Sequence, residues 1–254
     1  MINISSFELN YHTNYAEFFF CFNAKKIEGV RCCISLRAAG DMGLDHPENR
    51  RALFNKLKVD ANRVYACNQT HSHDVAVAVY PQTGVYPDAD ALVGTPPAVL
   101  AVTVADCLPV YLYDNIHKVY ALCHSGWKGT GIVVNALRLM HTEFGTDAGD
   151  VSAVLGPCIQ GNVYQVDAGR AQEYYAEFGS DSGVYPLGNP VRVCGSVDKE
   201  YYIDMQAANA HLLVQCGVQN IMYCTNCTLT DERLGSFRRE KNSFTKMLAM
   251  LGSL

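Results

Sequence analysis

The sequence predicts an α+β fold in which mixed β-sheets are covered by helices. Apolar runs of strand length recur along the 254 residues, and several are continuous, as expected of strands buried on both faces. Helical stretches lie between these runs without strict strand–helix alternation. The length fits a single domain over residues 1–254 that buries a sizeable core.

The strand predictions depend on short apolar runs bounded by polar or turn-forming residues. Several of the runs are followed directly by loops that carry His, Cys or Gly, which is where side chains are both positioned and accessible. The predicted strands are Phe18–Asn23, Val30–Leu36, Val64–Cys67, Val75–Tyr80, Ala98–Val104, Val110–Tyr113, Val119–His124, Val151–Leu155 and Ile221–Cys224.

The helix predictions depend on capping residues and on apolar stripes at helical spacing. Glu48–Leu57 follows a proline, and Thr130–Phe144 carries an apolar stripe and ends at a glycine. Capping aspartates begin Asp167–Phe178 and Asp204–Cys216, and a glycine follows each segment. Ser243–Leu251 is predicted as the last helix.

The composition of the sequence argues against some classes of partner and location for the protein. A formal charge of −5 and the lack of a basic run argue against nucleic acid as the main partner. The longest apolar stretch contains Asp106, and the first residues do not resemble a signal peptide, so no membrane association is predicted. Eleven cysteines at irregular spacing are then better interpreted as reduced, mostly buried thiols, and we expect a cytoplasmic protein.

Three motifs place metal-ligand side chains at strand ends. They are "NQTHSHDV" with His71, "TVADCLPV" with Cys107 and "VYALCH" with His124. Two imidazoles and a thiolate suit zinc with one position left open, and the same set also binds copper. Two other interpretations remain: the three residues are ordinary core residues, or Cys107 is a nucleophile with a histidine as its base.

The glycine-rich segment 125–131, "SGWKGTG", follows His124 and precedes a predicted helix. Its backbone N–H groups, with Lys128 and the hydroxyls of Ser125 and Thr130, form a plausible cradle for phosphate or another anion. The alternative is a tight strand-to-helix connection with Trp127 packed beneath it. The spacing does not match a P-loop, so a nucleoside triphosphate is not inferred.

Near the end of the sequence, "DERLGSFRRE" contains Arg233, Arg238 and Arg239. Neighbouring arginines after a turn are able to clamp a phosphate, although a solvated surface is the simpler interpretation. The earlier "CTNC" segment, residues 224–227, has the spacing of redox or zinc motifs. Without a second such pair it is interpreted as two buried cysteines.

The set of motifs resembles the laccase-domain-containing proteins, also called bacterial polyphenol oxidases and now described as purine nucleoside phosphorylases. "NQTHSHDV", "TVADCLPV", "CHSGWKGT", "LGPCIQGNVYQVD" and "CTLTDERLGSFRRE" are similar to five family motifs and come in the family's order. The resemblance covers roughly residues 30–250. It implies an α+β fold of mixed sheets packed as a sandwich.

The resemblance also implies an activity and its residues. The metal ligands would be His71, Cys107 and His124, with zinc as the metal and copper as the alternative. The reaction would be phosphorolysis of purine nucleosides, with adenosine deamination and methylthioadenosine cleavage as further activities and phenol oxidation as the older assignment. The protein would be a monomer or small homo-oligomer. Asp106 is the predicted acid, and the predicted substrate contacts are Ser125, Gly126, Lys128, Gly129, Arg37, Arg238 and Arg239.

Some positions depart from the family pattern. The glycine after the first histidine is replaced by Ser72, and His73 follows as a conceivable fourth ligand that would favour copper. Lys246 stands near the family's late arginine, and the early glycine-rich elements are reduced to "SLRAAGDMG", which contains Arg37. These departures affect the expected sugar and phosphate contacts more than the metal ligands.

The phosphorylase and the copper-dependent phenol oxidase are two interpretations of the function. A third is a non-catalytic interaction protein with the same fold.

Overall fold

The computed structural model describes residues 2–22, 25–78, 87–179 and 186–253. Five α-helices are assigned within these ranges: α1 Pro47–Leu57, α2 Ile132–Phe144, α3 Ala168–Phe178, α4 Met205–Gln215 and α5 Phe237–Glu240. The strands are β1 Asn3–Phe7, β2 Asn10–Tyr11, β3 Tyr15–Phe18, β4 Cys21–Phe22, β5 Lys25–Lys26, β6 Arg31–Ser35, β7 Val64–Tyr65, β8 Val75–Val77, β9 Ala91–Gly94, β10 Val99–Val104, β11 Leu108–Asp114, β12 Tyr120–Ser125, β13 Val151–Leu155, β14 Gln165–Val166, β15 Val191–Cys194, β16 Glu200–Ile203, β17 Asn220–Cys224 and β18 Met247–Gly252.

Two large mixed sheets form the centre of the molecule. One has the order β1-β17-β13-β11-β12-β9-β8, and the other has the order β2-β3-β6-β18-β10-β7. A smaller sheet, β14-β16-β15, and the pair β4-β5 complete the described strands. Parallel and antiparallel pairs occur in both large sheets, for example β13 with β17 and β11 with β12. The predicted mixed-sheet architecture is therefore confirmed.

The large sheets are covered on both faces, which explains the continuous apolar runs. Their facing sides share one apolar core, to which Tyr111 and Leu122 contribute from one sheet and Leu100 and Ala249 from the other. The second face of the first sheet packs against α2 and α4, and the second face of the other packs against α1. The order of layers is helix, sheet, sheet, helix, so the sandwich implied by the resemblance is also confirmed.

Four of the predicted helices are confirmed, and the caps act as the sequence indicated. The side chain of Asp167 accepts a hydrogen bond from the backbone N–H of Arg170, and Asp204 accepts one from that of Ala207. Gly145 follows α2 in the left-handed conformation. None of the helices in the described ranges combines the length and apolar character needed to cross a bilayer.

The predicted last helix, Ser243–Leu251, is wrong. Its apolar part forms strand β18, Met247–Gly252, which pairs antiparallel with both β10 and β6. Every residue of β18 is buried because the strand lies inside its sheet with both faces covered. A short, continuous apolar run of this kind fits a buried helix or a buried strand equally well, and the tertiary pairing decides the outcome.

All nine predicted strands overlap observed strands in part or in full, and Val110–Tyr113, for example, lies inside β11. Val64–Cys67 is shortened to β7, Val64–Tyr65. The ends of Phe18–Asn23 and Val75–Tyr80 lie outside the described residues, and Phe18 itself ends β3. Strands β1, β15 and β16 were missed because their sequences mix polar and apolar residues.

An ion-pair cluster ties the first strands to the segment before α5. The hydroxyl of Tyr11 and the guanidinium of Arg233 both donate hydrogen bonds to Asp231, and Arg233 stacks 3.5 Å from the Tyr11 ring centre. Burial would raise the pKa of Asp231, but the hydrogen bonds from Arg233 and Tyr11 outweigh burial and lower it to about 2. The folded chain therefore holds Asp231 ionised at pH values where the unfolded chain protonates it.

This depressed pKa predicts a stability effect that depends on pH. The contribution is present above the ordinary aspartate pKa and disappears as the pH falls through about 2. We expect Asp231→Asn to lower the free energy of unfolding by about 1–2 kcal/mol near neutral pH. Urea unfolding of both proteins at several pH values tests this, because the difference should shrink in acid. An equal difference at all pH values would contradict the assignment.

Candidate metal centre

The structure brings the three predicted ligands together. One donor atom each from His71, Cys107 and His124 lies within 4.8 Å of the other two, and the two imidazole rings are 4.9 Å apart at an angle of 77°. His71 is exposed, Cys107 is partly buried and His124 is buried. The group therefore has one side open to solvent and one side in the protein interior, as a site that admits a substrate requires.

Each ligand is positioned by a different element. His124 is the fifth residue of β12 and pairs with Pro109 on β11, while Cys107 directly precedes β11. His71 lies in the loop between β7 and β8 with φ of 60°, and Asp106, before Cys107, has φ of 85°. Both are left-handed conformations that non-glycine residues rarely adopt. Two loops with unusual backbone geometry thus bring His71 and Cys107 close to His124 on β12.

The electrostatics of the three side chains by themselves favour a thiolate at Cys107 beside a protonated imidazole at His124. Burial would raise the pKa of Cys107, but the adjacent His124 and His71 lower it to about 6. Burial would lower the pKa of His124, but Cys107 and Asp90 raise it to about 9. The thiolate is the form of cysteine that binds metals. Two nitrogen donors and one soft sulfur donor therefore fit zinc or copper.

His73 lies outside this donor group. Its Nε2 is 2.9 Å from the carbonyl oxygen of Thr130, near the end of the glycine-rich segment. The backbone carbonyl of His73 also accepts a hydrogen bond from the side chain of Asn135. His73 therefore connects the His71 loop to the glycine-rich segment in the observed conformation, and the fourth-ligand geometry is not formed.

The glycine-rich segment packs directly against the donor group. A Cβ atom at Gly126 would lie 3.1 Å from the Sγ of Cys107 and 3.4 Å from the Cδ2 of His71. A Cβ atom at Gly129 would lie 3.3 Å from the carbonyl oxygen of Ser72. These distances are tighter than ordinary van der Waals contacts, so the glycines allow the segment to approach the ligands closely.

The side chains that were predicted to contact an anion differ in exposure and in the contacts that they make within the protein. Ser125 is buried, and its hydroxyl interacts with Asn209 and with the carbonyl oxygen of Gly129. Lys128 is exposed, and its ammonium group lies 5.5 Å from the centre of the Trp127 ring. Lys128 thus remains available to a ligand, whereas Ser125 acts inside the protein.

The three predicted arginines also differ in what they contact. Arg239 donates to a series of backbone carbonyls, and Arg37 lies 3.5 Å from the carboxylate of Glu240. Arg238 donates one bond to the carbonyl oxygen of Gln165, and its guanidinium lies 5.3 Å from the Tyr164 ring centre. Of the neighbouring Arg238 and Arg239, Arg238 is the exposed one. Arg238 is therefore the arginine best placed to bind an anion.

Asp106 links the Cys107 loop to the last part of the chain. One carboxylate oxygen accepts a hydrogen bond of 2.6 Å from the hydroxyl of Thr228, and the other accepts one of 2.6 Å from the backbone N–H of Arg238. Both oxygens therefore contact donors of the protein. The predicted function of Asp106 as an acid stays a prediction.

Sequence reasoning did not find a group of aromatic and cationic side chains in which Tyr164 interacts electrostatically with Cys107. Burial raises the pKa of the Tyr164 hydroxyl, and the negative charge of Cys107 raises it further, while Arg170 and Arg238 oppose this. Arg170 stacks 4.6 Å from the Trp127 ring centre. Tyr164 was visible within "GNVYQVD", but only the fold brings it near Cys107, and Arg170 had no signal at all.

Comparison with known proteins agrees with the motifs. The family described as "Multi-copper polyphenol oxidoreductase laccase" matches residues 36–253. The chain belongs to this family. A purine nucleoside phosphorylase of Mycobacterium tuberculosis, Rv2149c, is 34% identical over 195 residues, which cover 76% of this chain and 73% of the relative. Another, YlmD of Geobacillus stearothermophilus, is 29% identical over 84% of this chain and 80% of the relative.

Two solved structures have the same fold. The crystal structure of YlmD superimposes with a TM-score of 0.80 at 25% identity, over 92% of this chain and 98% of that one. The YfiH protein of Bacillus licheniformis gives a TM-score of 0.80 at 22% identity, over 96% of this chain and 97% of that one. The resemblance drawn from the motifs is confirmed, and the relatives' names support a phosphorylase-like enzyme.

Proposed function

We propose that this chain is a metal-dependent purine nucleoside phosphorylase that converts adenosine or inosine and phosphate into the free base and ribose 1-phosphate. The observation that carries the proposal is the convergence of His71, Cys107 and His124 beside a glycine-rich segment. Relatives named purine nucleoside phosphorylases, 34% identical over 76% of the chain, support the reaction class.

His71, Cys107 and His124 would hold the metal, and zinc fits their two nitrogen atoms and one sulfur atom. Bound there, zinc would supply Lewis-acid polarisation of a substrate oxygen. The chain itself supplies an open approach, because His71 is exposed and Gly126 has no side chain over Cys107.

Phosphorolysis needs a phosphate oxygen held against C1′ of the ribose while the bond from C1′ to the purine nitrogen breaks. The bonding electrons leave with the base, which takes up a proton. We assign phosphate binding to the exposed Arg238 and Lys128, whose charged groups lie beside Tyr164 and Trp127, with Arg170 as a further cation. Asp106, through Thr228 and the Arg238 backbone, would hold Arg238 in place.

The direct test is a panel of adenosine, inosine and methylthioadenosine, assayed with and without phosphate, alongside metal quantification. Phosphate-dependent release of hypoxanthine from inosine is the expected result. Inosine formed from adenosine without phosphate would show the deaminase activity that the family resemblance implies. A chain that binds metal but releases no base from any nucleoside would overturn the phosphorylase proposal.

The phosphate contacts can be tested by substitution. Arg238→Gln and Lys128→Ala each remove one charged contact, so we expect KM for phosphate to rise about tenfold and KM for inosine to change much less. Arg233→Gln is the matched control, because Arg233 is an exposed arginine of the same segment whose guanidinium is bonded to Asp231. Equal increases in both KM values would argue against the assignment.

A copper-dependent polyphenol oxidase is the second candidate, favoured by the description of the family that matches residues 36–253. Within the described ranges, the other group of metal-ligand side chains is Asp41, Asp45 and His46, which contains no sulfur and one imidazole. Metal analysis of protein purified without added copper, together with oxygen uptake on a phenol, separates the candidates. Copper at stoichiometric level with oxygen uptake would favour the oxidase.

We further propose a cytoplasmic location and small molecules as partners, in a monomer or small homo-oligomer. All eleven cysteines lie in the described residues and are free, which fits a reducing compartment. The formal charge of −5 does not favour nucleic acid. A reduced thiol at Cys107 is also a requirement of the proposed metal centre.

A further inference from the structure

Asp90, directly before β9, joins the segments that carry two of the three proposed ligands. The residue is completely buried. One carboxylate oxygen lies 2.8 Å from Nδ1 of His124. The other accepts hydrogen bonds from the backbone N–H groups of Ser72 and Thr70, at 2.7 and 3.1 Å, and from the Ser72 hydroxyl at 3.0 Å. Ser72 and Thr70 are the two neighbours of His71.

The bond to His124 selects which ring nitrogen faces the other ligands. A carboxylate accepts, so a proton of the imidazole lies on Nδ1, and Nε2 is the nitrogen whose lone pair is available to a metal ion. Histidine ligands in metalloproteins use the same arrangement, in which the second N–H bonds to an oxygen acceptor. Asp90 is therefore placed to fix the tautomer of His124.

The bonds to Thr70 and Ser72 act on His71 through the backbone. A left-handed conformation is unfavourable for an L-residue, and His71 adopts one with φ of 60°. The Asp90 oxygen holds the amides on both sides of that residue, and each charge-assisted bond offsets part of this cost. The backbone of the exposed His71 is thus held through its two neighbours.

The main chain of Asp90 reinforces the link. Its carbonyl oxygen accepts a hydrogen bond of 2.7 Å from the backbone N–H of His124, and its own N–H donates to the carbonyl oxygen of Asp74, directly before β8. The carboxylate and the main chain of Asp90 therefore both contact the segments that carry His71 and His124.

We infer that Asp90 is the positioning residue of the metal centre, which presents Nε2 of His124 and the backbone of His71 in the geometry that binds the ion. The inference rests on the proposed function only in that the three ligands bind a metal. It requires no particular substrate. Asp90 itself contacts neither ion nor substrate in this arrangement.

Asp90→Asn tests the inference with little change in shape. The loop amides and the Ser72 hydroxyl need an acceptor, so the Asn oxygen should face them and its NH₂ group should face His124. Nδ1 must then accept, which moves the imidazole proton to Nε2, where it competes with the metal. We expect the Kd for zinc, measured by chelator competition, to rise about 10- to 100-fold.

Asp114→Asn is the matched control. Asp114 is also fully buried, and it accepts hydrogen bonds from Nδ1 of His117 at 2.8 Å and from the backbone N–H groups of Ile116 and His117. His117 belongs to no group of metal ligands in the described residues. The control should lose stability as Asp90→Asn does and keep the wild-type Kd for zinc.

Two further readouts distinguish positioning from general destabilisation. In zinc-loaded wild type, NMR should show a slowly exchanging Nδ1–H proton on His124, and that proton should be lost in Asp90→Asn. The absorption spectrum of the Co²⁺-substituted protein should change in Asp90→Asn and stay unchanged in Asp114→Asn. If Asp90→Asn does not fold, Ser72→Ala still tests the loop bonds, with a smaller rise in Kd and the Nδ1–H proton retained.

Each outcome has a defined meaning. A wild-type Kd for zinc in folded Asp90→Asn overturns the inference and leaves the proposed function standing. An equal rise in Kd for Asp114→Asn, or the absence of the Nδ1–H proton in the zinc-loaded wild type, also overturns it. A wild-type chain that binds no zinc overturns the metal centre, and the inference with it.

Discussion

Cys107→Ala is expected to abolish metal binding and nucleoside turnover in a chain that still folds. Cys107 supplies the only sulfur of the donor group in the described residues, and its removal leaves two imidazoles. The loss of affinity should exceed the roughly 100-fold produced by changes around the ligands, because a ligand itself is missing. The fold should survive, since Cys107 is partly exposed and the apolar core is built from other residues.

Cys123→Ala provides the control for this experiment. Cys123 is fully buried in the core beside His124 and is not part of the donor group. Its substitution should lower stability by about 1 kcal/mol through a small cavity and leave zinc content and turnover intact. Zinc quantification, circular dichroism and the inosine assay on both variants are sufficient. Full turnover by Cys107→Ala would contradict the metal centre and the proposed function together.

The positions of two candidate ligands, Cys107 and His124, could be predicted because recognisable strands lead to them or contain them. β10 leads to Cys107 and β12 contains His124, and both strands are continuous apolar runs in the sequence. Apolar periodicity is set by burial, so it reports where strands end and where exposed side chains begin. The convergence of the ligands could not be derived from spacing, since it depends on how β11, β12 and the loop after β7 pair in three dimensions.

The hydrogen-bond partners of each polar side chain were less predictable than its position along the chain. Ser125 and Arg239 were predicted to contact an anion, but Ser125 bonds to Asn209 and Arg239 bonds to backbone carbonyls. A loop that carries arginine and serine looks the same in sequence whether its donors satisfy ligand oxygens or the chain's own carbonyls. The choice is decided by which carbonyls the fold leaves without partners.

The hydrogen-bond partners of the acidic residues Asp90 and Asp106 were equally hard to predict from the sequence. Asp106 stood next to Cys107 and attracted a catalytic interpretation, whereas Asp90 opens "DALVG" and attracted none. In the fold both are buried acceptors, and each is bonded to the backbone of a distant segment. Long-range bonds of this kind leave no periodic or local pattern, so they become visible only when the loops are in place.

Gly126→Ala is expected to damage the metal centre without a direct change to any ligand. The added Cβ would lie 3.1 Å from the Sγ of Cys107 and 3.4 Å from His71, closer than such atoms normally approach. The segment is held by the hydroxyl of the buried Thr130, which bonds to the Gly126 carbonyl at 2.9 Å, so the sulfur must move instead. A shift of a few tenths of an ångström should lower zinc affinity and turnover by about 10- to 100-fold.

Gly149→Ala separates this effect from the general cost of replacing a glycine. A Cβ at Gly149 would meet only the Asp147 side chain, at an ordinary 3.5 Å, and the residue lies in the turn before β13. That variant should keep wild-type zinc affinity and turnover. If Gly126→Ala also kept both, the Cys107 sulfur would have to tolerate displacement, and a metal held by three ligands at fixed distances could not be the basis of the activity.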